Sequence, residues 1–309
     1  NISSPQLGLS KDDYHTIAVS TDLIIHAAAD INLLKSYADL EKTNIDPLHE
    51  IIRLAKLHHP KELHYVSTLA VSGCARTGSI KQFSEDELEY GQTFVSDYER
   101  TKFEAEKLVR KAFNEEHIKG KIYRVGHVAA DAVAGRFQKN MADNRIFQII
   151  KGMLLLKKIP RSYVEKVSFS FVDVVARGIV NSAIRMPENT MQCLHIENPQ
   201  YLSFQQLAGM LTQLGHEVEV VDAADFNIEV AAFEGSAADK KVISLMDNWI
   251  RRSEDFPRRV RYMHGKSLDL IAGYGLYFPK LSLEWFGGLI DEGIRSGYFV
   301  TPRHQLHNA

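Results

Sequence analysis

The chain has 309 residues, of which 45% are hydrophobic and 25% charged, and its net charge is −2. Those values are ordinary for one large globular domain or two modest ones, and they provide no global field for nucleic acid or an anionic membrane. No apolar run approaches a membrane span, and the opening NISSPQLGLS lacks the basic-then-apolar order of a secretory leader, so a cytoplasmic location is expected.

The two cysteines, Cys74 and Cys193, form neither a disulfide framework nor a zinc spacing. The 13 histidines include no H-E-x-x-H, so no metal site is expected.

In chain order, TDLIIHAAAD (21–30) reads as a buried strand that ends in small residues. DPLHEIIRLAKLHH (46–59) carries Leu48, Ile51, Ile52 and Ala55 at helical spacing. ELHYVSTLAVSG (62–73) reads as a second strand and loop, 98–113 as a helix, and GKIYRVGHV (120–128) as a third strand. Strand and helix alternating at this pitch predict βαβ units and a parallel sheet, whose ligands bind at the carboxyl ends of the strands.

Further on, FSFVDVVARGIVNSAI (169–184) is another strand-to-helix step, with Asp173 as its N-cap or first-turn acid. CLHIENP (193–199) is a short strand stopped by proline. SFQQLAGMLTQLG (203–215) is a helix with a serine cap and a glycine stop, and HEVEVV alternates like a half-buried strand. Beyond Ala223 the chain is mostly helical and more polar. Its basic stretch RRSEDFPRRVR reads as a solvated helix surface.

Two Tyr-x-x-x-Lys pairs occur, Tyr98/Lys102 and Tyr262/Lys266, and with 12 tyrosines chance alone accounts for one. Tyr262/Lys266 has Gly265 inside its turn and no hydroxyl-bearing strand end just upstream, so it reads as the coincidence. Tyr98, Lys102, Ala105, Val109 and Ala112 share one helical stripe, polar at its start and apolar beyond. A phenol is a poor acid at neutral pH, and a neighbouring ammonium is expected to lower its pKa. With a hydroxyl from Ser67 or Thr68 on the preceding strand end, the pair could polarise a carbonyl while a nicotinamide delivers hydride.

DLIIHAAADIN, YVSTLAVSG, SDYERTKFEAEKLV, YRVGHVAAD, NRIFQIIKG and FSFVDVVARGIV, in that order, resemble the terminal thioester reductase domain of nonribosomal peptide synthetases. This is a branch of the extended short-chain dehydrogenase/reductase superfamily, and carboxylic acid reductases and aminoadipate reductase carry related domains. Toward the C-terminus, LSFQQLAGMLTQLGHEVEVVD and GGLIDEGIRSGYF are similar to the family's substrate-binding lobe.

The resemblance implies an α/β, Rossmann-like, doubly wound parallel sheet over residues 1–200, with a substrate-loop insertion near 135–165. It implies a smaller, mostly helical substrate- and carrier-binding lobe over 201–309. Thr68, Tyr98 and Lys102 match the catalytic triad. Thr68 and Tyr98 would hold the thioester oxygen, and Lys102 would hold the nicotinamide ribose and tune Tyr98. Ala27, Ala28, Ala29, Ser67, Gly126 and His127 match cofactor-facing loops and strand ends. Gly135, Asn140 and Asn144 match a segment near the substrate and its pantetheine arm. The implied cofactor is NADPH. The implied partner is a phosphopantetheinylated carrier domain in the same polypeptide, and the implied product is an aldehyde.

One departure stands out. No G-x-G-x-x-G or G-x-x-G-x-x-G occurs, and GCARTGS (73–79) lacks the lysine of a phosphate loop. The family's first strands and Gly-rich turn are expected upstream of Asn1. Three rivals remain at this point. Sugar-nucleotide enzymes of the same fold are one, although dehydratases among them place Asp-Glu where Leu69-Ala70 stand. A fatty acyl-CoA or carboxylic acid reductase is the second, and a non-catalytic carrier-docking module the third. Plainer roles are expected for Asn44 (a loop contact), Cys74 (a free thiol), His26, Tyr65 and Tyr123 (core), and Trp249 and Trp285 (packing of the C-terminal lobe).

Overall fold

The computed structural model describes residues 1–300 except Leu34, Thr77, Gly78, Ala134, Lys139 and 186–191, so part of GCARTGS and one residue of the expected insertion lie outside the described residues. The helices are α1 (Lys11–Ser20), α2 (Tyr37–Asn44), α3 (Asp46–Lys56), α4 (Asp97–Glu115), α5 (Arg145–Leu156), α6 (Val172–Ile184), α7 (Phe204–Gln213), α8 (Ala223–Ala232), α9 (Ala237–Asp255), α10 (Gly265–Ala272) and α11 (Leu283–Arg295). The strands are β1 (Leu23–His26), β2 (Glu62–Thr68), β3 (Lys81–Phe83), β4 (Gly120–Val125), β5 (Val128–Ala129), β6 (Lys158–Pro160), β7 (Lys166–Ser168), β8 (Ser170–Phe171), β9 (Cys193–Ile196), β10 (Tyr201–Ser203), β11 (Glu219–Val221) and β12 (Val260–Tyr262).

Two compact units arise, each discontinuous in sequence. One holds 1–126, 175–197 and 258–277; the other holds 127–174, 198–257 and 278–309. The sequence reading makes a single cut at residue 200 instead.

The first unit is built on a four-stranded sheet in the order β1-β2-β4-β9. Every neighbouring pair is parallel, with Leu23 opposite Glu62, Thr68 opposite Val125 and Val125 opposite Ile196. His26, Thr68, Val125 and Ile196 therefore end their strands on one edge. The inner strands are buried along most of their length, as a parallel strand covered by helices must be.

Local chemistry explains the helices beside the sheet. α3 opens with Asp46 and Pro47, an acid and a proline where the first-turn N–H groups have no partner. Its Leu48, Ile51, Ile52 and Ala55 pack with Leu63, Tyr65 and Ile122 of the sheet and with Ala105, Val109 and Ala112 of α4 in one core. α4 is capped by Ser96, whose side chain accepts from the Glu99 N–H at 3.3 Å. β3 and β12 form a separate parallel pair, and Phe83 packs with Val71, Leu88 and Phe103.

The second unit pairs β5 with β8, β6 with β11 and β7 with β10. α5 packs on α9, where Trp249 donates to Gln148 at 3.0 Å. Trp285 stacks edge-on against Phe171 and donates to the Asp131 carbonyl at 2.9 Å. α7 starts with a full capping box between Ser203 and Gln206. Among the described residues no helix is long and apolar enough to cross a membrane.

Candidate active site

The first unit brings Thr68, Tyr98 and Lys102 together along the carboxyl half of β2. Thr68 ends the strand, and its Oγ1 accepts from the Ala70 N–H at 3.2 Å, which turns the chain into a short 3-10 helix. Tyr98 lies in the first turn of α4, half-buried, and hydrogen-bonds Thr68. One turn later Lys102 is buried. Its Nζ donates to the Tyr65 hydroxyl at 2.6 Å and to the Val66 carbonyl at 3.0 Å.

The electrostatics differ from the sequence expectation. Burial pushes the Tyr98 phenol up to about 12, Glu99 adds to the rise, and the hydrogen bond from Thr68 works the other way. The phenol is raised, not lowered, because desolvation is the largest influence on it and the Glu99 carboxylate adds to the rise. Burial also pulls Lys102 down to about 7, while the Glu106 carboxylate raises it. At neutral pH Tyr98 is thus a neutral hydrogen-bond donor beside a lysine poised between its two forms.

Behind this row lies a buried polar network that periodicity did not single out. Glu106 accepts from Ser67 Oγ at 2.7 Å, from Arg124 Nη2 at 2.7 Å and from Arg110 Nε at 3.0 Å. Burial works to raise the Glu106 carboxyl, yet it stands below its ordinary value because Arg124 and Arg110 favour the anion. Arg124 also donates to His195 Nε2 at 2.9 Å, and His195 holds the Met263 carbonyl at 2.8 Å through Nδ1. Burial and the Arg124 charge push His195 down to about 3, so its ring is neutral. The helical stripe held the signal: Glu106 is Lys102 plus four, on the buried face.

The remaining expected cofactor residues of this unit fall as follows. Ser67 is turned onto Glu106. Ala27 and Ala28 are exposed just past β1, and Ala29 is half-buried. Asn44 fixes that loop, accepting from the Asp30 N–H at 2.8 Å and donating to the Asp30 carbonyl at 3.0 Å and to Thr101 at 3.2 Å, which is the loop contact expected of it. Gly126 follows β4; a Cβ there would stand 2.5 Å from Glu197 Oε1, so a larger residue would have to displace the Glu197 side chain.

The second unit holds the others. His127 is exposed, with Nε2 3.5 Å from Arg145 Nη2, and Arg145 pairs with Glu165 at 2.6 Å. Gly135 has φ +66° and lies so near α11 that a Cβ would be 2.9 Å from the Gly288–Leu289 backbone. Asn140 donates to Asp143 at 2.5 Å. Asn144 caps α5, accepting from the Ile146 and Phe147 N–H groups. The second Tyr-Lys pair breaks apart: Tyr262 ends β12, and the exposed Lys266 begins α10, 3.7 Å from Asp86.

Lys102 has three N–H groups and, among the described residues, two acceptors, which leaves one N–H for a further acceptor. Beside it stand a protonated phenol and, after β1, a loop of side chains no longer than a methyl. This donor set fits the ribose and nicotinamide end of a dinucleotide.

The sequence matches the profile of an NAD-binding domain family described as "Male sterility protein" over residues 1–179. It is 27% identical over 303 residues to a linear gramicidin synthase of Brevibacillus parabrevis, covering 96% of this chain and 6% of that protein. It is 25% identical over 234 residues to L-2-aminoadipate reductase of Saccharomyces cerevisiae, covering 71% of this chain and 16% of that protein. The chain therefore spans a small part of the curated relatives it matches. Among solved structures, it resembles the terminal R domain from the myxalamid PKS-NRPS biosynthetic pathway, with a TM-score of 0.82 and 26% identity over 98% of this chain and 75% of that one. With its parallel sheet and this match over more than half its length, the chain belongs to the Male sterility protein family of NAD-binding domains and has the extended short-chain dehydrogenase/reductase fold.

Proposed function

We propose that the chain is a reductase domain that releases a carrier-bound acyl or peptidyl thioester as an aldehyde, using NADPH. The observation that carries this reading is the row Thr68–Tyr98–Lys102 at the end of β2, in a chain that aligns over nearly its whole length with a synthetase R domain.

A bound nicotinamide cofactor supplies the hydride. The chain's own groups manage the oxygen and the protons. Tyr98, held neutral, and the Thr68 hydroxyl donate to the thioester oxygen and stabilise the charge that develops there. Hydride arrival at the carbonyl carbon converts C=O to a tetrahedral hemithioacetal, whose oxygen takes the Tyr98 proton. The Lys102 ammonium, one turn along α4, favours the resulting phenolate. Return of that proton to Tyr98 lets C=O re-form as the C–S bond breaks, and the sulfur leaves as the carrier thiolate, which takes its proton from solvent. The sum is one thioester, one NADPH and one proton giving one aldehyde, one thiol and NADP⁺. Ala27, Ala28, Ala29, Gly126 and His127 are proposed to flank the cofactor, and Gly135, Asn140 and Asn144 to shape the approach of the substrate arm. Cytoplasmic location and a carrier in the same polypeptide belong to this reading.

The test is stoichiometry in the natural full-length protein loaded with an acyl-pantetheine thioester. One thiol freed per NADPH oxidised, with an aldehyde trapped as its hydrazone, is the expected outcome. NADPH bound but no thiol freed from any thioester would overturn the reading.

A further inference from the structure

We infer that Tyr65 is a positioning residue for Lys102: its hydroxyl and the Val66 carbonyl fix two of the three ammonium N–H groups and so aim the third. This rests on the reductase reading for its consequence in turnover, though not for its geometry.

The contact is unusually complete for a residue the sequence presents as core. Tyr65 is 1% exposed and Lys102 3%. The Lys102 Nζ lies 2.6 Å from the Tyr65 hydroxyl and 4.3 Å from the centre of its ring, so the ammonium sits at the hydroxyl end of the side chain and uses it as an acceptor. The Tyr65 ring in turn stacks on His26 with centroids 5.8 Å apart at 24°, which restrains it from β1.

The groups facing this ammonium come from three elements. β2 gives Tyr65, whose phenol is held neutral by burial, by Glu106 and by Tyr98. β1 gives His26, which burial and the Lys102 charge push down to about 4, leaving it uncharged at pH 7. α4 itself gives Glu106, which favours the charged lysine. Lys102 is therefore held by a neutral acceptor, an ion–dipole contact without a salt bridge. With two N–H directions set by β2, tetrahedral geometry sets the third, and that N–H is the one left for an acceptor on a bound cofactor.

Tyr65→Phe keeps the ring and its stack on His26 and deletes only the acceptor. Losing an acceptor disfavours the ammonium, so the Lys102 pKa must fall. In the chain labelled with ε-¹³C-lysine, with Lys102 assigned by its absence in Lys102→Arg, the Lys102 midpoint is expected to drop by about one to two pH units. In the full-length protein the alkaline limb of kcat is expected to move down by the same amount, with kcat at pH 7 lowered about tenfold or more. A shifted midpoint in a protein that reduces no thioester would support the positioning and sink the reductase reading. An active Tyr65→Phe protein with an unmoved midpoint and pH profile would overturn the inference. Should the variant not fold, the wild-type spectrum decides. Lys102 ε-protons showing cross-relaxation to the Tyr65 ring support the contact; an absence of cross-relaxation refutes it.

Discussion

Replacing Glu106 by Gln keeps the shape of the side chain and deletes its charge. Glu106 and Arg124 are both fully buried, and the carboxylate meets the guanidinium at 2.7 Å and 3.1 Å. Arg124 also donates to the Ser84 and Glu87 carbonyls, meets the neutral His195 ring and the Phe83 ring, and lies in the field of the Glu85 carboxylate. Without Glu106 the buried cation loses its direct ion pair and keeps the field of Glu85, and removing one partner of a buried pair costs about 3–5 kcal/mol. Fluorescence would miss this, since Trp249 and Trp285 both lie in the second unit. Hydrogen exchange over peptides from β2, α4 and β4 reads the right unit. Protection there should fall by roughly two to three and a half powers of ten, at about 1.4 kcal/mol per decade. The double change Glu106→Leu with Arg124→Met should recover most of it, because an apolar pair of similar volume removes both charges. A loss of less than tenfold in Glu106→Gln would refute the reasoning.

Two further outcomes follow from the same geometry. Asn144→Ala removes the cap that accepts from two N–H groups at the start of α5, and urea unfolding followed by Trp fluorescence should show a loss of about 1 kcal/mol. Lys102 has a folded pKa of about 7 against an ordinary 10.5, so between those values the unfolded chain binds the extra proton and this group's contribution to stability rises with pH. The melting temperature of wild type relative to Lys102→Met should therefore fall as pH is lowered from about 10 to 7 and level off below; a pH-independent difference would contradict the burial of the ammonium.

The main sheet was legible because its strands carry their own signal. LHYV and KIYRV are rich in β-branched, aromatic and aliphatic residues, and α3 and α4 show their buried stripes plainly. α1 and α2 escaped notice: KDDYHTIAVS and YADLEKTN are short, polar and without a stripe, and their serine caps at Ser10 and Ser36 are the one local cue. Of the site, the Tyr98–Lys102 spacing and the Thr68 strand end could be read directly. The direction of the Tyr98 shift could not, because it is set by how deeply the fold buries the phenol, and Tyr65 looks like any aromatic in a strand. Gly135 and Asn144, expected near the substrate, have evident local work in close packing and helix capping. The Glu106–Arg124 pair joins a helix to a strand 18 residues on, a contact that only the fold reveals.

The measurement that bears most directly on the central claim is NADPH oxidation by the natural full-length protein with a carrier-bound thioester, wild type against Tyr98→Phe. The account predicts turnover in wild type and a loss on the order of a hundredfold in the variant, with folding and NADPH affinity retained. Wild-type turnover in Tyr98→Phe would remove the phenol from the chemistry and contradict the account.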